Sequence, residues 1–393
     1  MIIGFHYHIP AYCKRSGEIY VPGYLGLFLD GLARECDRLV LFMHRSTEKD
    51  LPSMDYRLRA GNIQLVSLHS KAHMLSRPVL SAYYLLPVAS ELEKLDLMLL
   101  RGPSPLLPAF AKKLKEKNIP YTYYLVGNYL EGLEAITKMS PFKRFILRNF
   151  YQYLDRTQER YRPDSILVNS EKLYDQYLET GKKVVLIKTT TLRDADFRSV
   201  EPDPIGIPVR LLYTGRIESP KGIADILAAM SIAENKTGKS FVLDLVGWET
   251  EKNFLQEIFR QAEECKMEGS IVFHGKKRVG SELLAMYDQA DLYIIASRNN
   301  EGFPRTLWEA MARLLPIVAT RVGGIPLMLR DEEHALLTEP NDPEMLADKI
   351  IELVENRELR SRLIRNAFSL ARENTIEKQS KLLGDFLKNL VGH

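Results

Sequence analysis

The sequence predicts an α/β protein built from two doubly wound domains. Three observations carry this. Short apolar runs alternate with amphipathic stretches in both halves of the chain, the rhythm of a mostly parallel sheet covered by helices. The rhythm breaks at 184–208, where a strand-like VVLIK leads into a stretch rich in Thr, Asp and Pro, read as the linker between domains. The length, 393 residues, suits two domains.

In the first half, strands are expected at 2–5, 38–43, 63–68, 95–100, 121–126 and 166–168, with helices between several of them, as at 24–35 and 105–117. In the second half, strands are expected at 209–214, 241–246, 271–273, 292–296, 317–319 and 335–337. Helices are expected at 221–234, 251–265, 281–289, 306–314 and 343–355. A last helix covers 376–390. The domain bounds follow as 1–195 and 205–375, with the C-terminal helix 376–393 packing back on the first domain.

Bulk properties exclude several classes. Hydrophobic content of 45% and charged content of 27% are ordinary for a globular protein, and a net charge of +3 is too small to argue for nucleic acid. Cys13, Cys36 and Cys265 are few, scattered and odd in number, so they give no disulfide framework and no metal spacing, and point to the cytoplasm. The N-terminal apolar run is too short for a signal peptide, and the longest apolar stretch is broken by Pro87, Glu91, Glu93, Lys94 and Asp96. Membrane contact would be peripheral, at the inner face. No G-x-G-x-x-G follows the first strand of either domain, which disfavours a dinucleotide-dependent dehydrogenase.

Chemistry concentrates in NEGFPRTLWEAM, residues 300–311, and GRIESPKG, residues 215–222. Glu301 precedes a helix start and Glu309 lies inside the helix. Ionised carboxylates accept only, so the pair suits hydroxyls at two ends of a ligand. Pro304 suits a first helical position, and the helix that follows aims free N–H groups at an anion. Arg216 and Lys221 put two cations in a loop that also opens a helix, at the carboxyl end of the domain's first strand. Alone, the glutamate pair reads as a capped surface helix, and the cation loop reads equally as a solvated loop or a phosphate site. Together, at one sheet edge, they suit a diphosphate with hydroxyls on either side.

The motifs GRIESPKG, LDLVG, IVFHG, DLYIIASRNNEGFPRTLWEAMA and PIVATRVGGIPLML occur in this order over 209–390. In order and spacing they resemble the retaining glycosyltransferases of family 4, among the glycosyl transferases group 1. The N-terminal half matches in outline. The resemblance implies a GT-B fold, two Rossmann-like domains facing each other across a cleft, and sugar transfer from a UDP- or GDP-sugar to a hydroxyl acceptor. It implies that Arg216 and Lys221 grip the donor diphosphate, Glu301 contacts the donor sugar and Glu309 holds the ribose. The backbone of Gly302 and Phe303 would meet the sugar, and amides near Arg305 and Thr306 the phosphate. Lys277 and Val279 would face the base, and Gly23 would let the first domain's loop approach the phosphates. No cofactor or bound metal is implied.

The chain also departs from the family. Many members carry a histidine where this chain has Val126, Gly127 and Asn128, which leaves Asn128 as a candidate replacement. The linker lacks the usual NGVD, and Leu315 stands where glycine is common. His6 and His8, with Cys13, are read as polar residues on the acceptor side rather than as metal ligands, and the lone D-x-D of Asp194 and Asp196 carries little weight.

The segment 142–162 has six basic residues and two acids with Phe142, Phe145, Ile146, Phe150 and Tyr153 interleaved. Such a helix can lie on an anionic membrane and meet a lipid-linked acceptor. The plainer alternative, a buried apolar stripe under a solvated basic face, is slightly preferred. The acceptor is expected in surface polysaccharide, lipopolysaccharide or glycolipid synthesis. The rivals are a soluble glucan or small-acceptor synthase, a non-catalytic sugar-nucleotide binder and a sugar-nucleotide epimerase, the last weakened by the lack of an acid–base set.

Overall fold

The computed structural model describes residues 1–47, 50, 53–70, 76–127, 129–134, 139–199, 204–298 and 302–392. The chain divides into Met1–Thr189 with Ile376–His393, and Thr190–Thr375.

The first unit holds a seven-stranded parallel sheet with Ile2–His6 near its centre. On one side follow Arg38–Arg45 and Ile63–Ser70. On the other follow Leu97–Gly102, Tyr121–Leu125, Ser165–Val168 and Lys183–Leu186. Its central strands are apolar on both faces, because helices cover both faces of the sheet; every residue of Leu97–Gly102 is buried. Lys183–Leu186 pairs with Ser165–Val168, so the strand-like start of the expected linker belongs to this sheet. A small antiparallel sheet of Tyr12–Cys13, Ile19–Val21 and Tyr56–Arg57 has no counterpart in the sequence pattern, because two- and three-residue strands leave no period to detect. The last helix, Ile376–Val391, packs on the helix Gly23–Ala33. Two glycines make that approach possible. A Cβ on Gly31 would lie 2.2 Å from the Ser380 hydroxyl, and one on Gly384 would lie 2.6 Å from the Glu35 side chain.

The second unit holds a six-stranded parallel sheet. Its spatial order is Ile271–Phe273, Phe241–Glu249, Val209–Ile217, Leu292–Ile295, Ile317–Thr320 and Leu336–Thr338. The order reverses between Val209–Ile217 and Leu292–Ile295. In open α/β sheets ligands bind outside the carboxyl ends of the strands at such a reversal. Both sequence motifs follow the two strands that flank this reversal. The division between units falls before Thr190 rather than at 195, because Leu192 joins the core of the second unit. The helix Arg357–Arg372, absent from the expected elements, also packs on this core through Leu359, Leu363, Ala367 and Ala371.

Candidate active site

At the reversal, the strand Val209–Ile217 passes into a tight turn, Ser219–Lys221, and then the helix Ile223–Thr237. Gly222 joins turn to helix at φ +68°, where a Cβ would lie 1.9 Å from the carbonyl oxygen of Ala296. Only glycine allows both the left-handed backbone and that approach. Ala296 belongs to the neighbouring loop, which leads from Leu292–Ile295 to the helix Arg305–Ala312. The Arg298 N–H donates to the Pro220 carbonyl at 2.8 Å, and the Arg298 guanidinium clamps Asp225 with two bonds of 2.8 and 2.6 Å. The loop after Ile317–Thr320 closes in from the other side, where a Cβ on Gly324 would lie 2.7 Å from the Phe303 nitrogen. Three βα loops are thus fixed to one another largely through backbone atoms.

This edge gathers Arg216, Lys221, Gly302, Phe303, Arg305 and Thr306. Arg216 ends its strand with its guanidinium half exposed and 3.0 Å from Glu218. Lys221 closes the turn before Gly222. Gly302 is exposed, and Phe303 packs on Trp308 with ring centroids 4.6 Å apart. Arg305 and Thr306 open the helix behind Pro304, and the Thr306 hydroxyl oxygen accepts from Tyr293 at 2.7 Å. The helix starts at Ile223 and Arg305 make this edge favourable for an anion. Lys277 and Val279 lie on the same sheet edge, after Ile271–Phe273. Glu301 lies outside the described residues.

Glu309 is buried. One carboxylate oxygen accepts from the Thr191 hydroxyl at 3.0 Å and the other from the Tyr287 hydroxyl at 2.8 Å. Since Tyr287 donates to Glu309, it accepts from Thr214 at 2.7 Å. Burial raises the Glu309 pKa above the ordinary carboxylate value, against the opposing effects of Tyr287, Arg305 and Thr191. Burial and the neighbouring Glu309 charge push Tyr287 well up, so it stays a proton donor. A diol reaching Glu309 would meet lone pairs already engaged by Thr191 and Tyr287. Arg298, Asp225, Thr214, Tyr287 and Tyr293 escaped the sequence analysis. Asp225 stands in the first turn of a helix, where an acid is ordinary, so nothing in the sequence marks it out.

The remaining candidates belong to the first unit. The Gly23 N–H opens its helix and donates to Asp55 at 2.8 Å. His8 contacts the Pro103 carbonyl oxygen through Nδ1 at 2.8 Å, and Asn128 lies outside the described residues. His6 does not line a surface. It is fully buried between the Phe42 carbonyl and the Ser104 hydroxyl, and burial lowers its pKa to about 3. Asp196 is also committed internally, to Arg193. Among the described residues, no group of three His, Cys, Asp or Glu could hold a metal ion, and no helix is long and apolar enough to cross a membrane.

Residues 204–370 match the family model for glycosyl transferases group 1. The match lies within the second unit, so this part of the chain is similar to that family. The D-inositol 3-phosphate glycosyltransferase of Corynebacterium glutamicum is 29% identical to this chain over 194 residues, 47% of this chain and 46% of the relative. The N-acetyl-alpha-D-glucosaminyl L-malate synthase of Bacillus anthracis is 36% identical over 121 residues, 31% of this chain and 30% of the relative. Each match therefore spans less than half of the curated relative. Anabaena HepE, solved in complex with UDP, superposes with a TM-score of 0.73 at 16% identity, covering 99% of this chain and 100% of that one. The likeness shows that the chain has the GT-B fold.

Proposed function

We propose that the protein is a retaining glycosyltransferase that moves a sugar from a nucleoside diphosphate sugar, UDP- or GDP-linked, to a hydroxyl acceptor. The observation that carries this is the convergence of Arg216, Lys221 and two helix starts at the reversal of the second sheet. The bond from the anomeric carbon to the diphosphate oxygen breaks, and the acceptor oxygen bonds to the carbon on the same face. The acceptor proton passes to the departing phosphate. Arg216, Lys221 and the helix amides stabilise charge growing on the diphosphate, as preorganised electrostatics. Glu301 is the proposed partner of the donor sugar and Glu309 of the ribose. HepE, which binds UDP and UDP-glucose, favours a UDP-linked donor. This route uses no bound metal.

The acceptor proposed here is lipid-linked or a growing surface glycan, reached at an anionic membrane on the cytoplasmic side. What supports it is the helix Pro141–Arg160. Phe142 and Phe145 are 75% and 66% exposed, with Ile146 and Tyr153 also exposed, beside Lys143, Arg148 and Arg156. The apolar residues expected to be buried are therefore open to solvent, except Phe150, which packs inward. A second reading, a small soluble acceptor, is favoured by the inositol phosphate and malate in the relatives' names.

A thermal-shift panel of nucleoside diphosphate sugars tests the donor, since a ligand of the native state raises its stability. Slow donor hydrolysis without acceptor separates an enzyme from a pure binder. A panel in which no nucleotide sugar shifts the transition removes the proposal.

A further inference from the structure

We infer that Trp248 is the platform on which the donor's nucleobase stacks. The inference rests on the donor reading above and adds to it the direction in which the nucleotide lies. The chain has two tryptophans. Trp308 is buried beside Phe303, whereas Trp248 is 47% exposed near the end of the strand Phe241–Glu249. An indole left in water at a ligand-binding edge keeps a large apolar face available for a planar partner.

The register fixes its place. Trp248 stands opposite Arg216 on the adjacent strand, so the two side chains leave the sheet on the same side. One residue earlier, Gly247 faces Gly215, where a Cβ would lie 1.7 Å from the Gly215 carbonyl oxygen. The two backbones are therefore held close just below the Arg216–Trp248 pair. The Lys276 ammonium sits 5.6 Å from the indole centroid, a cation–π contact that steadies the ring. Beyond Trp248, the strand Ile271–Phe273 leads to Lys277 and Val279.

The edge then reads in order: the Gly302–Phe303 loop, the helix starts with Lys221, Arg216, Trp248, and the loop carrying Lys276. A sugar nucleotide has the same order of parts, sugar, diphosphate, ribose and base. Neighbouring strands lie about 4.8 Å apart, so the indole and the loop beyond it cover roughly 5–10 Å from Arg216, the reach of one nucleoside. With Arg216 on the diphosphate, the base falls at the indole.

Calorimetric titration of the whole protein with UDP, GDP and inorganic pyrophosphate tests this, with tryptophan fluorescence as a second readout. In the wild type, the nucleotide that binds quenches emission. Trp248→Ala raises the Kd of that nucleotide by about tenfold or more, the scale of one stacked base. Trp248→Phe recovers most of the loss, and pyrophosphate affinity stays unchanged in both variants. Nucleotide binding by Trp248→Ala at wild-type affinity overturns the assignment and leaves the donor reading standing. Parallel loss of pyrophosphate binding also overturns it, because the indole would then be supporting Arg216 instead. A wild type that binds neither nucleotide overturns both readings.

Discussion

The carboxyl edge of the second sheet and the helix Pro141–Arg160 of the first unit both face solvent with charge, yet they are built in opposite ways. At the sheet edge, loops are locked by backbone against backbone, with Gly222 under Ala296 and Gly324 against Phe303. On the helix, large apolar side chains stand exposed among cations, and only the far side is anchored, through Tyr151 and Leu154. A site that must stabilise charge at a reacting bond needs fixed dipoles. A surface that meets a fluid partner needs area and charge, with no fixed geometry. On the function proposed, the difference separates donor chemistry from acceptor access, and each should be open to disturbance without the other.

The largest expected effect belongs to the cations at the rigid edge. Lys221→Ala or Arg216→Ala should lower turnover by about 10²–10³-fold, the scale for one removed transition-state donor. Steady-state transfer assays check this, and liposome binding should not change. Near-wild-type turnover in both variants would break the donor side of the comparison. Next comes the packing that holds the cations in place. Gly222→Ala forces a side chain into a left-handed backbone and into the Ala296 carbonyl. It should cost about 2–3 kcal/mol of stability in urea unfolding, and activity should fall with it. An unchanged midpoint would mean the two loops are less tightly joined than their contacts imply.

A smaller effect is expected under the same edge. Tyr287→Phe removes a donor from the buried Glu309 carboxylate and should cost about 1–2 kcal/mol. Glu309 also has a pH signature. Its folded pKa is raised by burial, so above the unfolded value of 4.5 the native state binds more protons than the unfolded one. Its contribution is full below that value and is lost as pH rises through the folded pKa. Glu309→Gln lacks this loss, so the stability of the wild type relative to the variant should decline as pH climbs from 4.5 towards neutrality. A pH-independent difference would show that Glu309 titrates normally.

How much of this was legible follows from sequence separation and from packing. The βα rhythm was readable because parallel strands covered on both faces become uninterrupted apolar runs, as in Leu97–Gly102. Arg216, Lys221 and the helix start behind Pro304 were readable because each is local to one loop. The Arg298–Asp225 clamp and the Thr191–Glu309 bond join residues 73 and 118 positions apart, and nothing local marks them. The helix Pro141–Arg160 misled for another reason. It carries two apolar stripes. Leu147, Phe150, Tyr151 and Leu154 pack inward, while Phe142, Phe145, Ile146 and Tyr153 do not. Periodicity finds a stripe and cannot say which one meets the core.

The exposed stripe supplies the last and smallest prediction, the one that sharpens the first unit's half of the comparison. A juxtamembrane cation contributes about 1 kcal/mol near an anionic surface, and the effect falls within a Debye length. Arg148→Ala and Arg156→Ala should therefore each weaken flotation with anionic liposomes about fivefold at low salt, and high salt should abolish the difference. Phe142→Ser with Phe145→Ser should weaken binding at all salt concentrations, because apolar insertion is not screened. Donor hydrolysis in solution should stay at the wild-type rate in both cases. Wild-type protein that ignores anionic liposomes at low salt would remove the membrane from the acceptor side and leave the small soluble acceptor as the better reading.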